Sequence, residues 1–100
     1  MTVQVSRHAQ ERLVQRGLRR ASLELVVAYA DVAAKRRGGA VRLRMTRRAM
    51  QEAVADGVDL KVVDGARALA AIYRDGLVLT QYRARHDREW RSRRGRKAGR

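Results

Sequence analysis

The residues that could do chemistry lie towards the two ends of a short chain. Near the start, Ser6-Arg7-His8-Ala9-Gln10-Glu11-Arg12-Leu13-Val14-Gln15-Arg16-Gly17-Leu18 spaces a histidine and two arginines four residues apart. On a helix that spacing drifts only slowly, so His8, Arg12 and Arg16 form a polar stripe beside an apolar one carrying Ala9 and Leu13. Metal-independent RNA cleavage needs one group to take the 2′-hydroxyl proton and another to protonate the leaving oxygen. It also needs cations around the strained phosphate. An imidazole titrates near neutrality, so His8 fits the proton carrier, and Arg12 and Arg16 could grip phosphate through paired hydrogen bonds. Far along the chain, Thr80 and Tyr82 share one face of a strand-forming run, with Arg83 after them. Thr80 could bond a phosphate oxygen, and Tyr82 could stack a base or donate a proton. A joint site of His8, Arg12, Arg16, Thr80 and Tyr82 demands that this strand lie next to the first helix.

The same residues have architectural readings. His8 could bond a strand carbonyl and lock the helix to the sheet. Arg12 and Arg16 could pair with Glu11, Glu24 or Asp31, and Tyr82 could pack with its hydroxyl at a rim. Other chemistries are set aside. Cysteine is absent, which excludes disulfides, zinc-thiolate sites and thiol nucleophiles. No His/Asp/Glu cluster has metal-ligand spacing, so neither a metal nor another cofactor is expected. Gly38-Gly39 lacks the following lysine of a phosphate loop, and a Ser-His-Asp hydrolase is not expected from three serines.

Charge is the dominant property. Among 100 residues, 24 Lys and Arg stand against 10 Asp and Glu, a net charge of +14. Residues 83–100 contribute nine basic and two acidic residues, so about half of the excess belongs to the part expected to fold. A basic folded part favours a polyanionic partner, nucleic acid (RNA above all) or the ribosome, with an acidic protein or an anionic membrane surface as the alternatives. The candidate phosphate contacts are Arg42, Arg44, Arg47, Arg48 and Arg83, joined by Arg91, Arg93, Arg94, Arg96 and Lys97 in the tail. The hydrophobic 45% contains 16 alanines and no phenylalanine. That implies a thin core, of the kind often stabilised by a partner or a homodimer. No signal-peptide pattern and no run approaching about 18 apolar residues is present, so a cytoplasmic protein without a membrane partner is expected.

The elements that must position these residues can be read from caps and periodicity. Ser6 is placed to cap a helix ending at Gly17, and Ser22 to cap a second, Leu23 to about Ala30. The second is apolar nearly all round, as in a helix that is buried or shared with a partner. Val41, Leu43 and Met45 alternate with Arg42 and Arg44, and Gly38-Gly39 precedes them, which reads as a hairpin. Thr46 can cap a third helix to Asp56, with Arg47 and Arg48 in a first turn where the helix dipole disfavours cations. They are either tolerated surface arginines or residues facing an external anion. Val58 to Gly65 is ambiguous between strand and helix. Asp75-Gly76 marks a second hairpin, from Ala66–Arg74 to Leu77–Arg83. The expected fold is α+β: N-terminal helices packed on a four-stranded antiparallel sheet of two hairpins with a helix between them. Residues 1–84 would form the domain, and 85–100 a basic arm in which His86 is solvated.

The opening motif, His8-Ala9-x-x-Arg12-x-x-x-Arg16-Gly17-Leu18, combines with Asp75-Gly76-x-Val78-x-Thr80-x-Tyr82-Arg83. Together they resemble the bacterial domain-of-unknown-function 4258 family, over about residues 3–85. That family is similar to small nucleases of the RelE-like toxin and colicin-type ribonuclease kinds. The resemblance implies two N-terminal helices before a four-stranded antiparallel sheet, a RelE/barnase-like arrangement. It also implies metal-independent ribonuclease activity held in check by an acidic antitoxin-type protein. Three functions therefore compete: a ribonuclease of toxin type, a non-catalytic nucleic-acid-binding module, and an interaction protein dimerising through its second helix.

Overall fold

Residues 3–83 are described by the structure, a computed structural model. Helix α1 (Arg7–Gln15) starts where Ser6 adopts an extended conformation and its Oγ accepts from the Ala9 amide at 3.0 Å. It stops at Gly17, whose φ of +62° a side chain would disfavour. The Gly17 amide then donates to Val14 O at 3.2 Å and the Leu18 amide to Leu13 O at 2.9 Å, the paired bonds of a Schellman motif. Helix α3 (Arg47–Ala55) repeats the pattern. Thr46 caps it, and Gly57 and Val58 bond back to Val54 and Ala53, each at 3.0 Å.

Helix α2 (Arg20–Tyr29) departs from expectation: it begins before Ser22, with Arg19 at its cap position and no side-chain cap. Ser22 lies inside the helix, 1% exposed, and its hydroxyl donates to Val62 O at 2.8 Å. The acceptor belongs to α4 (Leu60–Ala66), which settles the ambiguous stretch as a fourth helix, with Asp59 Oδ1 accepting the Lys61 amide at 2.8 Å. Leu23, Leu25 and Val26 are buried because α2 packs on the sheet and is also flanked by α4. Those three side chains fit the buried-helix reading, while Val27 and Tyr29 remain half-buried.

The sheet has five strands, not four, and is mixed. Strands β2 (Val32–Lys35) and β3 (Val41–Arg44) form the first hairpin around a 3-10 turn at Arg37–Gly39. Strands β4 (Leu69–Arg74) and β5 (Leu77–Arg83) form the second. In its turn Asp75 and Gly76 have φ of +51° and +82°, the two positive values of a tight two-residue hairpin. The unforeseen strand is β1 (Gln4–Val5), which pairs parallel to β5 at the outer edge, giving the order β1-β5-β4-β3-β2. Two residues are too few to show an alternating pattern, so only the pairing reveals β1.

The helices cover one sheet face. Leu13, Leu23, Val26, Met45, Leu69 and Val78 fill the space between, with Ala9, Ala53, Ala66 and Ala71 at the closest approaches. Among the described residues no helix is long and apolar enough to cross a membrane.

Candidate nucleic-acid interface

Helix α1 lies along β5, as the joint site requires. Two hydrogen bonds hold it there: Ser6 Oγ donates to Leu79 O at 2.7 Å, and Gln81 Nε2 donates to Ala9 O at 3.0 Å. His8 has no part in this lock and is exposed. Arg16 is exposed and Arg12 half-buried, its Nε enclosed without a hydrogen-bond partner among the described residues. The carboxylates expected to pair with these arginines are engaged elsewhere. Glu11 approaches Arg7 at 4.0 Å, Glu24 meets Arg20 at 3.4 Å, and Asp31 bonds Thr46. The α1 stripe therefore presents its cations and its imidazole together on one helix.

Thr80 and Tyr82 point the other way. Opposite β5, Tyr73 pairs with Val78 but Ile72 with Thr80, so Leu79 is one extra residue in the ladder. Uninterrupted alternation would keep Val78, Thr80 and Tyr82 on one face; the bulge shifts everything after it by one. Val78 and Gln81 face the helices, while Tyr82 packs on Ala70, as Val32 does, in a separate cluster across the sheet. There the Tyr82 hydroxyl accepts from Arg42 Nη1 at 3.3 Å. The five residues expected to form one site are split by the sheet into His8, Arg12 and Arg16 on one side and Thr80 and Tyr82 on the other.

The phosphate-binding candidates also separate. Arg42 and Arg44 alternate away from Val41 and Leu43 as expected, yet each is only 6% exposed. Neither is placed as an open surface cation. Arg47 and Arg48 are exposed in the first turn of α3. That helix end already has an anion: Asp31 Oδ1 accepts the Thr46 amide at 2.8 Å, and its Oδ2 accepts Thr46 Oγ1. Arg83 is exposed at the end of β5. Arg91, Arg93, Arg94, Arg96 and Lys97 lie outside the described residues, as do His86 and the expected arm.

Compared with protein-family models, curated proteins and solved structures, the chain matches none.

Ser6 and Gln81 hold α1 against the sheet, and local sequence reasoning misses both roles. Capping identifies Ser6 at its own helix but gives no sign of its bond to the sheet. Gln81 is fully buried, and a lone glutamine between two hydroxyl-bearing residues carries no signal of burial. Exposed cations at Lys35, Arg36, Arg37 and Arg74 are easily taken for ordinary turn residues, although Lys35-Arg36-Arg37 is a visible basic run. Among the described residues no group of three or more His, Asp or Glu side chains is gathered as a metal site.

Proposed function

We propose that this protein binds RNA through its phosphates and does so without a composite catalytic site. The carrying observation is the division of the five candidate residues between the two sheet faces. The α1 stripe keeps His8 and Arg16 exposed and Arg12 half-buried, but the hydroxyl-bearing partners of the expected joint site are on the opposite face. Over residues 3–83, 16 Lys and Arg stand against 8 Asp and Glu, so the folded part is itself attractive to a polyanion. Arginines contact phosphate through bidentate hydrogen bonds and need no base identity, which favours sequence-independent binding.

A second reading, a metal-independent ribonuclease of the toxin type with an acidic antitoxin-type partner, is favoured by one observation. His8 is exposed one helical turn from Arg12, so a proton carrier and a cation share a surface without Thr80 or Tyr82. The resemblance to the family related to RelE-like and colicin-type ribonucleases supports the same reading. Incubating the protein with end-labelled RNA in EDTA, beside His8→Ala, decides between them. Intact but gel-shifted RNA is the expected result; discrete cleavage removed by His8→Ala establishes the nuclease instead.

A further inference from the structure

Both hairpin turns fall at the same end of the sheet. Lys35 pairs with Val41, Val41 with Tyr73, and Arg74 with Leu77, so the β2–β3 connection and the β4–β5 turn lie side by side. Gly38 and Gly39, with φ of +70° and +80°, fold the first connection tightly. Arg74 reaches across to it: its Nη1 stands 3.5 Å from where a Cβ on Gly38 would lie. Lys35, Arg36, Arg37 and Arg74 are all exposed. Among the described residues, none of the four forms an ion pair with a carboxylate. The row continues beyond β5, because the Ser6 amide donates to Val78 O at 2.9 Å and so starts α1 at this end. Arg7 there has a 95% exposed side chain.

We infer that this end of the sheet, with Lys35, Arg36, Arg37 and Arg74 as its centre, is where the RNA backbone is held. The inference rests on the RNA-binding proposal and gives it a location. Strands lie about 4.8 Å apart, so these four cations, carried on β2, the β2–β3 connection and β4, cover roughly 10 Å. That is a strip along which a chain of phosphates can run, in contrast to a pocket for one anion. Asp75 in the β4–β5 turn offsets one of these four positive charges; the excess that remains is self-repelling in the free protein, and a polyanion relieves that repulsion while releasing its own counterions. The guanidinium groups supply planar paired donors for phosphate oxygens.

The test uses the full chain and a fluorescein-labelled, unstructured RNA oligonucleotide, with affinity read by anisotropy over a series of salt concentrations. The triple variant Arg36→Ala, Arg37→Ala, Arg74→Ala is compared with Arg19→Ala, Lys61→Ala, Arg67→Ala, which removes the same charge elsewhere. A glutamine triple at Arg36, Arg37 and Arg74 keeps side-chain length should the alanine variant fold poorly. For three lost contacts, the slope of log affinity against log salt should fall by about 2, since each single-strand phosphate contributes about 0.7. The control triple should keep the greater part of the slope. Equal losses in the two triples, or an unchanged slope in the turn variants, overturn this location while leaving RNA binding in place. Absence of binding by the unaltered protein overturns the RNA reading and the location together. Loss of binding to phosphatidylserine vesicles in the turn variants with RNA affinity intact would assign the surface to a membrane instead.

Discussion

Ser22 in α2 and Gly65 in α4 meet so closely that a Cβ on Gly65 would collide with the serine hydroxyl and stand 3.3 Å from its Cβ. The hydroxyl cannot swing away freely, because it is buried and donates to Val62 O at 2.8 Å. Gly65→Ala should therefore destabilise the fold by roughly 1–3 kcal/mol through overpacking, although alanine is intrinsically the better helix residue by about 1 kcal/mol. In a Ser22→Ala background, where only the 3.3 Å contact with Cβ remains, the same change should cost clearly less. Urea denaturation of the four proteins in the cycle measures this. Equal costs in both backgrounds would show that the two residues do not press on one another.

Gln81 ties β5 to α1 by one amide hydrogen, but its Oε1 is buried with no hydrogen-bond partner among the described residues. Replacing it with methionine exchanges one hydrogen bond for relief of an unpaired acceptor, and the expected change is within about 1.5 kcal/mol. Gln81→Ala leaves a cavity instead and should cost roughly 2 kcal/mol or more. Thermal denaturation should rank the three proteins with alanine clearly lowest. A methionine variant as unstable as the alanine variant would show that the amide bond matters more than the volume.

Asp31 and Thr46 form a unit at the start of α3. The aspartate accepts both the amide and the hydroxyl of Thr46, and the threonine oxygen in turn accepts the Ala49 amide at 3.4 Å. Asp31→Ala and Thr46→Ala should each cost about 1 kcal/mol, as losses of helix caps do. The double variant should cost less than their sum, because either change alone breaks the shared network. Strict additivity in chemical denaturation would count against the network.

Tyr29 makes one contribution to stability that depends on alkaline pH. Its hydroxyl donates to Asp56 Oδ2 at 2.6 Å. That hydrogen bond, then partial burial and the negative charges of Asp56 and Glu52, raise its pKa above the ordinary phenol value. A pKa raised in the folded state means that the folded protein holds the proton more tightly than the unfolded chain. The stabilisation is accordingly complete below about pH 10, the unfolded value, and is lost as pH rises through the folded one. Tyr29→Phe should remove this component. The stability difference between the two proteins, measured by urea denaturation, should shrink above about pH 10. A constant difference across that range would contradict the assignment.

Much of the local architecture was legible because it depends on residues within a turn or two of one another. Ser6 and Thr46 cap helices, Gly17 and Gly57 end them, and Asp75-Gly76 closes a hairpin, each by bonds among near neighbours. Ser22 carries the same side chain as Ser6 and sits in a similar context, but its bond goes to a residue 40 positions away. Whether a serine caps its own helix or grips another is decided by what packs against it. Helix α4 poses the same problem: Val62 and Val63 read as helix or strand, and Ala66 as the start of a hairpin strand, until α2 and α3 give them a surface to cover and β4 begins only at Leu69.

For function, composition and short-range periodicity were enough to establish the charge, the absence of cysteine chemistry and the helical stripe of His8, Arg12 and Arg16. The nine-residue helix carries His8 and Arg12 at that period whatever surrounds it, with Arg16 following as its C-cap residue. Alternation likewise put Thr80 and Tyr82 on a common face. Which face was a tertiary matter, because the pairing of β5 with β4 makes Leu79 the extra residue and rotates Thr80, Gln81 and Tyr82 by one position. A bulge is a property of two strands together, so neither strand alone records it. The pairing of β3 with β4 set the arginines of two separate turns beside each other. That neighbourhood exists only once the hairpins lie in one sheet.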